Sequence, residues 1–151
     1  MVSKVSKICF TKKTGDEMLD VSSVEVIANK GILNDRYFKD NNDKDIQITL
    51  IEKENIDYFN LKANTNIPYI DFRRNIITQG VELNELVGEI ILVGNIKLKC
   101  HRLCDPCKYL QDKLKEKNLF KTLANLHKRG GLRCEILTNG KISINDEIKK
   151  I

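Results

Sequence analysis

Apolar residues along this chain recur mostly at every second position, in short runs broken by polar turns. That period belongs to β-strands, whose successive side chains point to opposite faces. Val24 to Ala28 ("VEVIA") and Ile46 to Ile51 ("IQITLI") are predicted as strands on this basis. Two further pairs of β-rich runs flank two-residue loops: "EIILV" and "IKLKC" around Gly94-Asn95, "LRCEILT" and "KISI" around Asn139-Gly140. Loops of this length and composition match strand twist, so both predict β-hairpins. Helical spacing is rarer. "EKENIDYFNLKAN" gathers Ile56, Phe59 and Ala63 on one face. "NLFKTLANLHKRGG" opens at a capping residue, Asn118, gathers Leu119, Leu123 and Leu126, and stops at Gly130-Gly131, where a left-handed residue is usual. "KDNNDKD", Lys39 to Asp45, offers nothing to bury and predicts a mobile loop. The expected fold class is mainly β with short helices (β-rich α+β), its sheet closed into a barrel-like form.

At 151 residues the chain is expected to form a single domain over 1–151. A domain of this size buries roughly 70% of its unfolded surface and needs no metal or disulfide staple. No apolar run approaches the ~18 residues of a membrane span, and "MVSKVSKICF" lacks the features of a secretory signal. A cytoplasmic protein with no membrane partner is expected. The net charge of +5 is spread along the whole length. That pattern is a mildly basic surface and not a nucleic-acid footprint, and it does not exclude a compact anionic ligand.

The cysteines change the picture more. Five are present, an odd number that argues against a complete disulfide framework. Three lie in "KCHRLCDPCKYL", as Cys100-x3-Cys104-x2-Cys107. That spacing holds an iron–sulfur cluster in radical-SAM enzymes. Strand alternation, however, turns Cys100 inward with Ile96 and Leu98, while His101 faces water with Lys97 and Lys99. Pro106 also stands where those enzymes carry an aromatic residue, and the chain is too short for their barrel. Cys134 points inward with Leu132 and Ile136, and buried free cysteine packs as a small hydrophobe. Cys9 has no chemistry-bearing neighbours in the sequence. Cys104 and Cys107 supply only half of a structural zinc site, since no second such pair follows and His127 stands alone. They also suit a reactive thiol past a strand end, with Pro106 fixing the turn and a helix-like "KYLQDKLK" following. Arg102 and Lys108 there favour thiolate over thiol. An exposed turn with incidental cysteines is the plain alternative.

Taken in order, these segments resemble the MOSC domain, named for the C-terminal region of molybdenum-cofactor sulfurases. "GILNDRYF" is similar to the family's early turn, through Gly31, Asp35 and Arg36. "QITLIEKENID" resembles the following strand and helix. "FRRNIITQGVELNELVGEIILVG" resembles the central stretch, through Arg73, Arg74, Asn75, Gly80, Leu83, Leu86, Gly88 and Gly94. "RLCDPC" resembles the cysteine motif, whose key thiol follows proline and falls on Cys107. "GGLRCEILTNGKISINDEI" resembles the closing hairpin. Asn34 and Asn145 stand where glycine is usual, and asparagine tolerates positive φ well enough to keep both turns.

The resemblance implies a closed β-barrel-like fold related to the pyruvate-kinase β-barrel domain, and binding of the molybdenum cofactor (molybdopterin). It implies sulfur handling through Cys107, as persulfide carrier or molybdenum ligand, with Cys104 as a second thiol that resolves a persulfide or packs beside it. Arg36, Arg74 and Arg133 are the candidate phosphate clamps, because guanidinium pairs bidentately with phosphate. Arg36 and Arg74 are expected to meet across the barrel mouth. Asp35 is expected to orient Arg36 or cap the turn, and Asn75 to hold backbone in the pocket wall. Implied partners are a cysteine desulfurase, which alone would carry pyridoxal phosphate, and cofactor biosynthesis or acceptor proteins. A molybdenum-dependent reductase of N-hydroxylated compounds and a non-enzymatic zinc or interaction module are the competing functions.

Overall fold

The computed structural model describes residues 2–104 and 128–151. In chain order it contains β1 (Lys4–Phe10), β2 (Leu19–Val21), β3 (Ser23–Ile27), β4 (Gly31–Ile32), β5 (Ile48–Glu52) and the helix α1 (Lys53–Ala63). There follow β6 (Ile76–Gln79), β7 (Ile90–Val93), β8 (Ile96–Leu103), β9 (Leu132–Ile136), β10 (Gly140–Ser143) and β11 (Ile148–Lys150). Short 3-10 turns at Tyr69–Phe72 and Leu83–Leu86 complete the described elements. Eight strands form one sheet in the order β11-β7-β8-β9-β5-β6-β1-β2, and β10-β3-β4 form a smaller one.

The large sheet curls into a half-barrel. Its β11 end returns to the start of β1, where Val5 N–H donates to the Asp146 carbonyl (2.9 Å) and Ile148 N–H to that of Ser3 (2.9 Å). Inside the curl lies the main core, built from alternate residues such as Ile48, Leu50, Ile76, Leu98, Cys100, Leu132 and Cys134. Strands β5 and β6 are parallel, which requires a crossover, and α1 supplies it. The helix lays Ile56 and Phe59 on the outer face of that pair, against Ile51, Ile77 and Phe72. Phe59 and Phe72 meet edge to face at 5.6 Å, the favoured aromatic arrangement. Among the described residues no helix is long and apolar enough to cross a membrane.

Most sequence-based expectations hold. The strands at Val24 and Ile46, the α1 face and the Gly94-Asn95 hairpin, with Val93 opposite Ile96, are all present. Asn34 (φ 72°) and Asn145 (φ 74°) take up the positive φ that their turns demand. The hairpin at Asn139-Gly140 does not form. Both edges of β9 are already occupied, by β8 and β5, so β10 leaves the large sheet and pairs with β3. Asn139 Oδ1 accepts from Ala28 N–H (2.7 Å) as the chain crosses over.

The segment Lys39 to Asp45 is a loop as expected, but it does bury a residue. Asn42 is buried; its side-chain amide donates to the Lys30 carbonyl (2.9 Å) and to that of Tyr37. A short amide thus takes over the pairing that a strand would have provided. His101, expected among solvated lysines, is half-buried and paired with Glu135 (2.9 Å) on the outer face. The helices expected after Pro106 and Asn118 lie outside the described residues.

Candidate anion-binding site

A cavity of about 290 Å³ opens against the outer face of β5 and β9, at the end away from α1. Four arginines line it: Arg36, Arg73, Arg74 and Arg133. Thr49, Tyr37, Ile46, Cys104 and the Thr14-Gly15 tip of the β1–β2 loop complete the wall. The described lining includes no carboxylate.

Each arginine arrives by a different local device. Arg36 follows the left-handed Asn34 in the turn after β4. Its Nη1 donates to Asp35 Oδ1 (3.2 Å), its guanidinium lies 4.4 Å from the centre of the Tyr37 ring, and its side chain is only 7% exposed. Asp35 is buried behind the turn and accepts in addition from Thr11 N–H (3.3 Å) and Tyr37 N–H (3.2 Å). Asp35 therefore organises the turn and aims Arg36, without itself lining the cavity.

Arg73 and Arg74 are consecutive, and in an extended strand they would point apart. Arg73 instead takes a left-handed conformation (φ 60°) after the 3-10 turn, breaking the alternation and bringing both side chains to one space. Arg73 Nη1 donates to the Asp16 carbonyl (2.7 Å), and Arg74 Nε to that of Gly130 (2.9 Å). Asn75 is buried just beyond. Its Oδ1 accepts from Thr49 N–H and Oγ1 (3.1 Å each), and its Nδ2 donates to the Cys9 carbonyl (3.2 Å), stitching β1 to β5. Asn75 does not line the cavity itself but stands behind it, holding Thr49, which does.

Arg133 lies directly opposite Thr49 in the β5–β9 ladder. Its Nε is buried and has no hydrogen-bond partner among the described residues, an arrangement that suits an incoming acceptor. Arg102 is its cross-strand neighbour on β8. Like charges so placed repel, and Asp45 offsets this by accepting from Arg102 Nε at 2.7 Å. That hydrogen bond in turn holds the Asp45 carboxyl below its usual range.

The cysteines separate clearly. Cys104 is 4% exposed, lines the cavity, and is anchored by its N–H to the Gly131 carbonyl (2.8 Å). Gly131 allows that anchoring: at φ 101°, a Cβ there would sit 2.0 Å from the Leu50 carbonyl oxygen. Cys9 is fully buried and donates from Sγ to the Arg74 carbonyl (2.9 Å). Burial, with Asp20 nearby, pushes its thiol up to about 12. It is a structural prop behind the arginines, a placement its sequence neighbours gave no sign of. Cys100 and Cys134 are core residues as expected. Cys107, with Pro106, Lys108 and His127, lies outside the described residues.

Arg36, Arg74 and Arg133 thus come together around one space, drawn from segments about 40 to 100 residues apart in sequence. Arg73, Tyr37 and Thr49 were not singled out as lining residues. Strand alternation would have turned Thr49 outward, since Ile48 and Leu50 point in. Arg73 depends on a backbone flip that no residue type announces. Cationic and closed on several sides, the cavity can hold a phosphate-bearing small molecule within reach of a thiol.

Comparison with known proteins agrees with this architecture. The model of the MOSC domain matches residues 35–149. The fold is similar to the crystal structure of the YuaD protein from Bacillus subtilis, with TM-score 0.82 and 18% identity over 98% of this chain and 94% of that one. It is also similar to YiiM from Geobacillus stearothermophilus, with TM-score 0.76 and 17% identity over 99% and 75%. For YiiM from Escherichia coli the TM-score is 0.70, with 16% identity over 98% and 69%. No curated protein gives a significant match. With the family model covering most of its length and the curled sheet in place, the chain belongs to the MOSC domain family.

Proposed function

We propose that this protein binds the molybdenum cofactor by its phosphate at the arginine cavity and handles sulfur through Cys107. The family is associated with that cofactor, and the residues present fit its anionic end. Four guanidinium groups, a buried Arg133 Nε without a partner among the described residues and a described lining free of carboxylates make a receptor for phosphate. The observation that carries the reading is that Cys104 lines this same space. Three residues of chain span at most about 11 Å, which limits how far Cys107 stands from it.

In this reading Arg36, Arg74 and Arg133 grip the phosphate, Asp35 aims Arg36, and Asn75 holds the wall. The bound cofactor supplies a metal centre that accepts sulfur. The Cys107 thiolate attacks the terminal sulfur of a persulfide on a partner cysteine desulfurase. The donor's S–S bond breaks, a new one forms on Cys107, and the donor cysteine leaves as thiolate, so no net oxidation occurs. Attack by Cys104 on the Cys107 sulfur would release hydrosulfide and leave a Cys104–Cys107 disulfide.

The test is metal and pterin analysis of protein from a cofactor-competent host. Pterin and molybdenum should copurify with the wild type and be lost from a variant with Arg36 and Arg133 both changed to Ala. Zinc alone would overturn the reading. Reduction of N-hydroxylated bases by the loaded protein would replace sulfur carriage by a reductase with Cys107 as standing ligand.

A further inference from the structure

Cys100 on β8 and Cys134 on β9 are direct cross-strand partners, each fully buried. Cys100 spends its backbone on the opposite side: its N–H donates to the Glu89 carbonyl (2.9 Å) and its carbonyl accepts from Gly88 N–H (2.8 Å). Toward β9 it therefore forms a non-hydrogen-bonded pair, the kind in which side chains approach most closely. Such pairs bring Cα atoms to about 4.5 Å, inside the window that a disulfide spans.

The pair occupies a particular place in the chain. β8 ends at Leu103 and β9 begins at Leu132, so the connection that carries both Cys104 and Cys107 leaves from one cysteine strand and returns to the other. The ladder between them is irregular at His101, where a bulge shifts the register between Cys100 and Arg102. Bulges are where a ladder is locally disrupted, so local opening at this point would be the way for a small reagent to reach a fully buried pair.

From this geometry we infer that Cys100 and Cys134 form a redox-modifiable pair, closing to a disulfide that clamps the base of the cysteine-bearing connection. A small-molecule disulfide is the oxidant. The Cys100 thiolate attacks one of its sulfurs, forming a mixed disulfide and expelling a thiolate. Cys134 then attacks the Cys100 sulfur, forming the protein disulfide and expelling the second thiolate. Two protein thiols are oxidised, the reagent is reduced to two thiols, and the two protons pass to them. Burial, with Cys100 beside it, holds the Cys134 thiol above its ordinary range, while the Cys100 thiol is held below its own, so Cys100 ionises first. Closure would fix β8 to β9 next to Cys104 and Arg133, making the rigidity of one cavity wall depend on thiol oxidation.

The experiment uses the full chain, without cofactor, in a Cys104→Ser/Cys107→Ser background, so its outcome is separate from that of the proposed function. The protein is exposed to cystamine under native conditions, alkylated after denaturation and mapped by non-reducing mass spectrometry. A Cys100–Cys134 crosslink should dominate, with Cys9 alkylated throughout. It should form at least about tenfold faster than global unfolding under the same conditions, as local opening allows. Amide exchange in β8 and β9 should then slow. A crosslink no faster than global unfolding, or equal capture of Cys9, overturns the inference, and so does unchanged exchange after closure.

Discussion

Arg74 Nε donates to the carbonyl of Gly130 at 2.9 Å, so one of the cavity's arginines also pins the far end of the connection that carries Cys107. Binding and stability are therefore coupled at this residue. Arg74→Ala would strand a carbonyl and should cost about 1–3 kcal/mol, read as a lower urea midpoint. Arg74→Lys keeps the charge and loses the fork. It should weaken pyrophosphate binding about tenfold, the worth of one charge-assisted hydrogen bond, in calorimetric titration. Unchanged affinity in the Lys variant would remove Arg74 from the clamp.

Cys100 gives the opposite expectation. It sits in the main core with no part in the cavity wall. Cys100→Ala should lower stability by about 1–2 kcal/mol, a small cavity cost, and leave pyrophosphate affinity unchanged. Loss of binding by a folded Cys100→Ala protein would show that the inward-facing cysteine strand contributes to the site.

How far the site could be read in advance follows from these two residues. Alternation of apolar and polar positions was enough to send Cys100 and Cys134 inward, because burial of one strand face is a local rule. The arginines were legible as candidates only through the resemblance. That Arg73 joins Arg74 depends on a left-handed backbone, and that Asp35 stays behind its turn depends on three converging donors. The failed hairpin at Asn139-Gly140 has the same origin. A two-residue turn favours local pairing, but β9 had already given both edges to strands distant in sequence. Buried Asn42 escaped notice because a polar run in sequence carries no mark of the carbonyls it will meet.

A second titrating site lies at the other end of β5. Glu52 is half-buried at the start of α1, beside Glu54 and Glu82, and accepts from Asn55 Nδ2 (2.6 Å). Burial first, and then the two neighbouring carboxylates, raise its pKa from 4.5 to about 7. A raised carboxyl binds more protons in the folded than in the unfolded state, so its contribution favours folding at low pH and is lost as pH climbs from 4.5 to about 7. Solvent screening of a half-buried group trims the full linkage value to about 1 kcal/mol. Glu52→Gln should thus be more stable than wild type by that amount at pH 8. The two urea midpoints should converge toward pH 4.5. Parallel curves across the range would show that Glu52 titrates normally.

The functional claim rests on Cys107, and thiol reactivity decides it. Cys9, Cys100 and Cys134 are fully buried, and Cys104 is nearly so while lining the cavity. A thiol that attacks sulfur must be both ionised and reachable. Arg102 and Lys108 flank the motif, and four arginines line the cavity beside Cys104, all favouring thiolate. Residue-resolved alkylation with iodoacetamide below about pH 8 should therefore label Cys107 ahead of the three buried thiols, by a wide margin, with Cys104 between. Cofactor binding should protect it. Cys107→Ser should abolish sulfur transfer while the unfolding free energy from urea titration stays within about 0.5 kcal/mol of wild type. Cys104→Ser should retain part of the transfer, since the persulfide still forms on Cys107. Labelling of Cys107 no faster than that of Cys100 or Cys134, or labelling that cofactor leaves unprotected, would leave the arginine cavity as an anion site without sulfur chemistry.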